Sequence, residues 1–198
     1  MTQRHLSSLA DVEWPVRTQR LLLRPATAAD MEQVWRSWRH RDDVAQWMTN
    51  PSPDLDTYLA RLAAPARLAT ILAVEHEGRL VMDLHLRVQD SYAQTDVAER
   101  ARGTLANLGW SMDPVVHGRG LATEALRAAL GVCFDQLGLH RAEAVCFADN
   151  AASWRLMERV GMRREGHYVK QGFHRALGWV DMYAYGMLAA DWKALDHA

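Results

Sequence analysis

Val116-His117-Gly118-Arg119-Gly120-Leu121-Ala122-Thr123-Glu124-Ala125 joins an apolar stretch, Leu105 to Met112, to an amphipathic one, Leu121 to Leu137. The first reads as a strand and the second as a helix that ends at Gly138, with Asp113-Pro114 opening the turn between them. Glycine at 118 and 120 lets the backbone of such a junction come close to a ligand. The first amides of the helix point outward with the positive end of its dipole. His117, Gly118, Arg119, Gly120, Leu121, Ala122 and Thr123 therefore make up a seat for an anion. The seat lacks the Lys-Ser/Thr of a nucleotide-hydrolysing loop, and Thr123 breaks the three-glycine pattern of a dinucleotide fold. A tight turn that needs glycine for its geometry alone fits the same residues.

Upstream, Arg20-Leu21-Leu22-Leu23-Arg24 is a short strand ended by Pro25, and Thr27 with Asp30 opens a helix carrying Met31, Val34, Trp35 and Trp38. Asp54 starts a second helix, with Leu55, Tyr58, Leu59 and Leu62 as its apolar stripe and Pro65 as its stop. Ala69 to Glu75, the turn Glu77-Gly78 and Leu80 to Val88 form a hairpin. Its second strand alternates Met82, Leu84 and Leu86 with Asp83, His85 and Arg87, so one face is wet or functional. Gln89 to Thr104 has no period and reads as a long loop. Downstream, Arg141 to Phe147 is a strand, Asn150 to Val160 a helix closed by Gly161, and Tyr168 to Gly172 and Trp179 to Leu188 are closing strands. The expected fold class is α/β in the α+β sense, one central mixed, mostly antiparallel sheet with helices on both faces. Residues 18–190 form the single domain, after a lead-in over 1–17 and before a tail over 191–198.

The chain has 198 residues, 49% hydrophobic and 24% charged, which is ordinary globular usage and excludes disorder. Its 23 basic and 24 acidic residues give a net charge of −1, so no global field exists to hold nucleic acid. No apolar run approaches the roughly 18 to 20 residues that cross a bilayer, and the first residues lack a signal-peptide core. A cytoplasmic protein without membrane contact is expected. Cys133 and Cys146 have no His-Cys grouping around them, so neither a disulfide framework nor a metal site is suggested. Arg36, Arg39 and Arg41 read as a solvated helix face, although they would also suit an acidic peptide. Trp35 and Trp38 are core residues or an aromatic wall for a substrate.

The anion seat resembles that of the GNAT acyltransferases, whose Gln/Arg-x-x-Gly-x-Gly/Ala loop holds the diphosphate of acetyl-CoA. His117 stands at the Gln/Arg position, Gly120 at the central glycine and Ala122 at the small final position. Asn150-Ala151-Ala152-Ser153 with Leu156, Glu158 and Gly161-Met162 is similar to the family's Asn-x-x-Ala/Ser helix. Thr18 to Arg24, Leu108-Gly109-Trp110 and Trp179 to Tyr185 match in the same order. The branch it most resembles is the Rim type, the ribosomal-protein alanine acetyltransferases, with Met157 where the usual tyrosine stands.

The resemblance implies acetyl-CoA as cosubstrate, no metal, an amine acceptor, a homodimer, and a splayed pair of central strands after residue 112. It implies that Asn150 helps bind the CoA arm and that Ser153 protonates the departing thiolate; a Ser153 hydroxyl that only caps its helix is the competing reading. Amides near Met112 and Asp113 are placed to hold the pantetheine and polarise the carbonyl. The branch's carboxylate is missing from Ala106-Asn107-Leu108-Gly109-Trp110, and Gly172 stands where the branch can supply another. Titratable groups left for the acceptor cleft are Asp83, His85, His167 and His174, of which His85 is the chosen base.

An α-amine with a pKa of roughly 7.7 to 8.0 is about a fifth neutral at pH ~7.2, whereas a lysine amine at about 10.4 is neutral in roughly one molecule per thousand. A weak base therefore favours a protein N-terminus. Two alternatives stand: acetylation of a small amine such as an antibiotic, polyamine or amino acid, and a non-catalytic acyl-CoA binding module.

Overall fold

A computed structural model describes residues 8–195. The chain opens with a short edge ladder of β1 (Val16–Arg17) and β2 (Leu21–Pro25). Four helices follow: α1 (Ala28–Val34), α2 (Asp42–Ala45), α3 (Leu55–Leu62) and α4 (Pro65–Leu68). Thr27 and Asp30 form a reciprocal capping box on α1, as their spacing predicts. A π-helical segment, Trp35–Arg39, continues α1. Pro65 does more than stop α3: it occupies the first turn of α4, where its missing N–H costs nothing.

The hairpin is β3 (Ile71–His76) and β4 (Arg79–Gln89), joined by Glu77 and Gly78, both at positive φ. That is the turn handedness whose twist matches paired strands. The stretch read as a loop holds a 3₁₀ segment, Thr95–Ala101. Then come β5 (Leu105–Met112), α5 (Leu121–Gly131) with a π-helical continuation over Val132–Gln136, β6 (Arg141–Phe147) and α6 (Ala151–Arg159). The chain closes with β7 (Arg163–His174), β8 (Gly178–Leu188) and α7 (Ala189–Leu195). The strand expected at Tyr168 starts five residues earlier, at Arg163.

All eight strands share one sheet in the order β1-β2-β3-β4-β5-β6-β8-β7. Every neighbouring pair is antiparallel except β5 and β6. The mixed, mostly antiparallel sheet with helices on both faces is therefore present. β5 and β6 pair only through Leu105↔Arg141, Ala106↔Ala142 and Asn107↔Glu143 and then part. The splay thus begins after Asn107, five residues before the point the resemblance implies.

Two apolar clusters cover the two faces of the sheet. The larger holds Leu23, Leu72, Leu84 and Leu86 against Leu126, Leu130 and Leu156 of α5 and α6. The smaller packs Ile71, Ala73 and Leu80 under Met31, Val34, Trp38, Tyr58 and Leu62. Of the two readings of the alternating face of β4, wet or functional, that second layer removes the wet one: Asp83 is completely buried, His85 is half-buried and only Arg87 is exposed. Leu9 and Val12 of the lead-in belong to the larger cluster, and Trp192 of the tail packs on it. Residues 1–7 and 196–198 of those two segments lie outside the described residues.

Candidate active site

The turn before α5 has the geometry its glycines suggest. Gly118 and Gly120 sit at φ of +75° and +76°, a region that side chains with a Cβ disfavour. Among the described residues no side chain caps α5, so the amides at its start face outward without a protein acceptor of their own. Glu124 lies in that first turn and would repel an anion, but its carboxylate is turned away. It accepts from Thr18 Oγ1 at 2.6 Å, from the Arg20 amide at 2.8 Å and from Arg20 Nε at 2.7 Å. Burial pushes this carboxyl up, yet the Thr18 and Arg20 hydrogen bonds hold it below its usual value. Arg20 Nη1 also donates to the Arg119 carbonyl at 2.9 Å and so braces the turn.

From this turn a cleft of about 1120 Å³ runs along the sheet. His117, Gly118, Gly120, Leu121, Ala122 and Thr123 line one end. Leu108 to Met112 of β5 and Ala144 to Phe147 of β6 form its walls where the ladder has opened. The start of α5 is thus not plugged by its own side chains. Met112 lines the cleft as expected, whereas Asp113 and Arg119 do not. The Asp113 amide donates to the Val81 carbonyl at 2.9 Å, and its buried carboxylate takes Arg79 Nη2 at 2.5 Å and caps Val115. Arg119 points its Nη2 at His76 Nε2, 3.2 Å away.

Asn150 and Ser153 both line the cleft. Asn150 Oδ1 accepts from the Ser153 amide at 3.2 Å and so caps α6. The capping role considered for the Ser153 hydroxyl therefore belongs to Asn150. The hydroxyl meets the Cys146 thiol instead, which burial pushes up to about 11 while the Ser153 bond opposes the rise. Cys133 is buried inside α5's continuation with its thiol raised by burial alone, so it is no acyl carrier. Met157 is buried in the core, out of the cleft.

The other end of the cleft lies between the first helices and β4. Arg39, read as part of a solvated helix face, is here driven into the sheet. Its Nε and Nη2 fork onto Asp83 at 3.2 and 2.5 Å. Ser111 Oγ donates to the same carboxylate, and Trp38 Nε1 donates to Ser111 Oγ at 2.8 Å. Burial alone would raise the Asp83 carboxyl, but the charge of Arg39 and the bonds from His85 and Arg39 hold it well below the carboxylate range. Asp83 is therefore a fixed anion and not a base. Tyr58 borders the same space, its phenol pushed up to about 12 by burial. Trp38 and Trp35 are core residues, while Trp47 and Trp110 line the cleft.

Of the four candidate bases only His85 lines the cleft. Its Nε2 stands 3.1 Å from Arg39 Nη2 and 3.4 Å from Asp83 Oδ2. His167 is tied to Asp181 at 2.6 Å, away from the cleft. His174 accepts the Ala176 and Leu177 amides on Nδ1, both at 3.2 Å, so its lone pair is already used. A carboxylate at 172 has no room: a Cβ on Gly172 would come within 2.9 Å of the Phe147 ring and 3.0 Å of Met182. Asn107 does line the cleft, and its amide nitrogen lies 3.5 Å from Glu143 across the last rung of the β5–β6 ladder.

An acetyltransferase (GNAT) domain model matches residues 20–163. The chain belongs to that family. The uncharacterized N-acetyltransferase YnaD of Bacillus subtilis (strain 168) is 38% identical over 86 residues, which are 43% of this chain and 50% of that protein. The match thus spans half of that relative's length. A solved GNAT-family acetyltransferase from Bacillus anthracis superposes with a TM-score of 0.74 at 26% identity, over 89% of this chain and 99% of that one. The ribosomal-protein-S5-alanine acetyltransferase from Vibrio fischeri shares the fold at 17% identity, with a TM-score of 0.69 over 91% and 99% of the two chains.

Proposed function

We propose that this GNAT domain is an acetyl-CoA-dependent N-acetyltransferase whose acceptor is the α-amine of a protein N-terminus. The observation that carries the proposal is the continuous cleft from the uncapped start of α5, through the opened β5–β6 ladder, to the pocket beside β4. The diphosphate of acetyl-CoA sits on the amides of Leu121, Ala122 and Thr123, with His117, Gly118 and Gly120 around it. The pantetheine runs along the freed edge of β5 at Met112 and beside Asn150. Asp113 and Arg119 shape the turn from behind.

The amine attacks the thioester carbonyl directly: the N–C bond forms, the C–S bond breaks, and CoA leaves as the thiolate. Ser153 gives that thiolate a proton, which the amine's own proton replaces through solvent or His85. An α-amine needs little help to reach the neutral, attacking form, because a substantial share is already neutral near pH 7. Pairing of two copies belongs to the same proposal; Tyr168, Val169, Phe173, Leu177 and Trp179 give it an exposed apolar surface around the β7–β8 hairpin. Mass spectrometry of peptides and small amines after incubation with acetyl-CoA is the test. Acetyl found on free peptide N-termini is expected; acetyl found only on small amines selects that alternative, and no thiol release with any amine leaves a binding module.

A further inference from the structure

The acceptor end of the cleft carries an unusual charge balance. Arg39, Arg61, Arg67 and Arg87 line it, against a single carboxylate, Asp43. Asp43 is already held by Arg41, with bonds of 3.0 and 2.9 Å, and Arg39 is spent on Asp83. Arg61 donates only to a neutral group, the Asn50 carbonyl. Arg67 and Arg87 form no ion pair among the described residues, and both are exposed. Arg39 and Arg61 each place the guanidinium carbon 5.6 Å from the centre of the Tyr58 ring, so two cations crowd one aromatic side chain. Burial, and then the like charges of Arg39 and Arg67, lower the pKa of Arg61. Arg24, by contrast, is neutralised by two carboxylates, Asp30 and Glu75.

We infer that Arg61, Arg67 and Arg87 select an acceptor carrying carboxylates next to its reactive amine, an acidic protein N-terminus. This rests on the N-terminal reading above and sharpens it. Guanidiniums pair bidentately with carboxylates and hold a planar anion in a fixed orientation. The same positive field disfavours an ammonium, so the acceptor amine enters in its neutral, attacking form. That effect matters in a cleft whose one cleft-lining base candidate, His85, sits against Arg39. A polyamine or a lysine-rich segment is repelled by the same groups.

Three peptides of equal length with the same free N-terminal residue, followed by glutamates, by serines or by lysines, test this in a thiol-release assay with acetyl-CoA. At low salt, kcat/KM for the glutamate peptide is expected to exceed that for the lysine peptide by at least tenfold, and the ratio to shrink as salt screens the charges. Arg67→Gln with Arg87→Gln should remove most of that ratio while the KM for acetyl-CoA stays unchanged. Both residues are exposed and unpaired, so the fold tolerates the exchange. Equal rates for all three peptides, or a ratio untouched by the double substitution, overturn the charge selection and leave N-terminal acetylation standing. No reaction with any peptide, alongside turnover of a small amine, overturns the N-terminal reading itself and this inference with it.

Discussion

Replacing Asp83 by Asn removes one half of a buried ion pair and leaves the other in place. The carboxylate is wholly buried and the Arg39 side chain is 11% exposed, so water cannot compensate for the loss. Asparagine keeps an acceptor for Ser111 Oγ but faces Arg39 with an amide that is itself a donor. Stranding a buried charge in this way costs about 3–5 kcal/mol. In a chain of this size each kcal/mol moves the thermal midpoint by about 2–4 °C, so Asp83→Asn should melt about 6–20 °C lower. Urea unfolding at pH 7, with the wild-type slope retained, gives the free energy directly. In an Arg39→Met background the same change should cost far less, because no guanidinium is left without its partner. Glu32→Gln, which breaks the exposed Arg36–Glu32 pair, is the control and should cost about 0.3–0.5 kcal/mol. A loss below about 1 kcal/mol for Asp83→Asn, or equal losses in both backgrounds, would refute the view that this pair is desolvated and coupled.

Gly120→Val forces a β-branched residue into a left-handed backbone at about 1–2 kcal/mol and brings a Cβ within 3.5 Å of Arg20 Nη2. Calorimetric affinity for acetyl-CoA should fall at least tenfold, and an unchanged affinity would remove the diphosphate from this turn. Ser153→Ala should lower turnover while affinity for CoA stays within a few-fold; equal losses in both would make Ser153 a binding residue instead. Arg24, with Thr27 assisting, pulls the Asp30 carboxyl down to about 2 against the opposing effect of burial. A depressed carboxyl stabilises the fold above its unfolded pKa of about 4, and that contribution fades as pH falls toward 2. Urea midpoints taken across that range should therefore drop less steeply in Asp30→Asn than in the wild type, and parallel curves would contradict the shift.

Local rules carried the sequence reading a long way. Leu105 to Met112 and Arg141 to Phe147 are strands with the expected ends because each is an apolar run bounded by turn residues. The capping box at Thr27 and Asp30 needs only near neighbours to form, and the positive φ of Gly118 and Gly120 marks the turn before α5 from its own residues. What escaped was set by distant parts of the chain. Asp83, His85 and Arg87 alternate as an exposed strand face would, and nothing nearby says that Arg39 and Trp38 fold over it. Arg39 looked like one of three solvated arginines because its partner lies 44 residues away. The early start of β7 was hidden by its exposed edge position, where no face is fully buried and no alternation is imposed. The acceptor-end arginines carry no pattern at all, since α3, α4 and β4 each contribute one. A search for arginines lacking nearby acidic residues would have flagged Arg67 but could not have placed it in the same cleft as Arg87.

The bond from Arg20 to Glu124 spans 104 residues of sequence and ties the rim of the sheet to the glycine turn before α5. Glu124 is synthesised long after Arg20, so the turn acquires its brace only when most of the sheet's residues exist. The rim strand β1 pairs with a single neighbour through two residues, and outer strands open more readily than the core. Opening of β1 would loosen the Thr18–Arg20 stretch that braces the turn, while Leu21 and Leu23 of β2 stay in the larger apolar cluster. Under the function proposed above, affinity for acetyl-CoA then becomes a gauge of how firmly the outermost strand is docked, well before any global unfolding is seen.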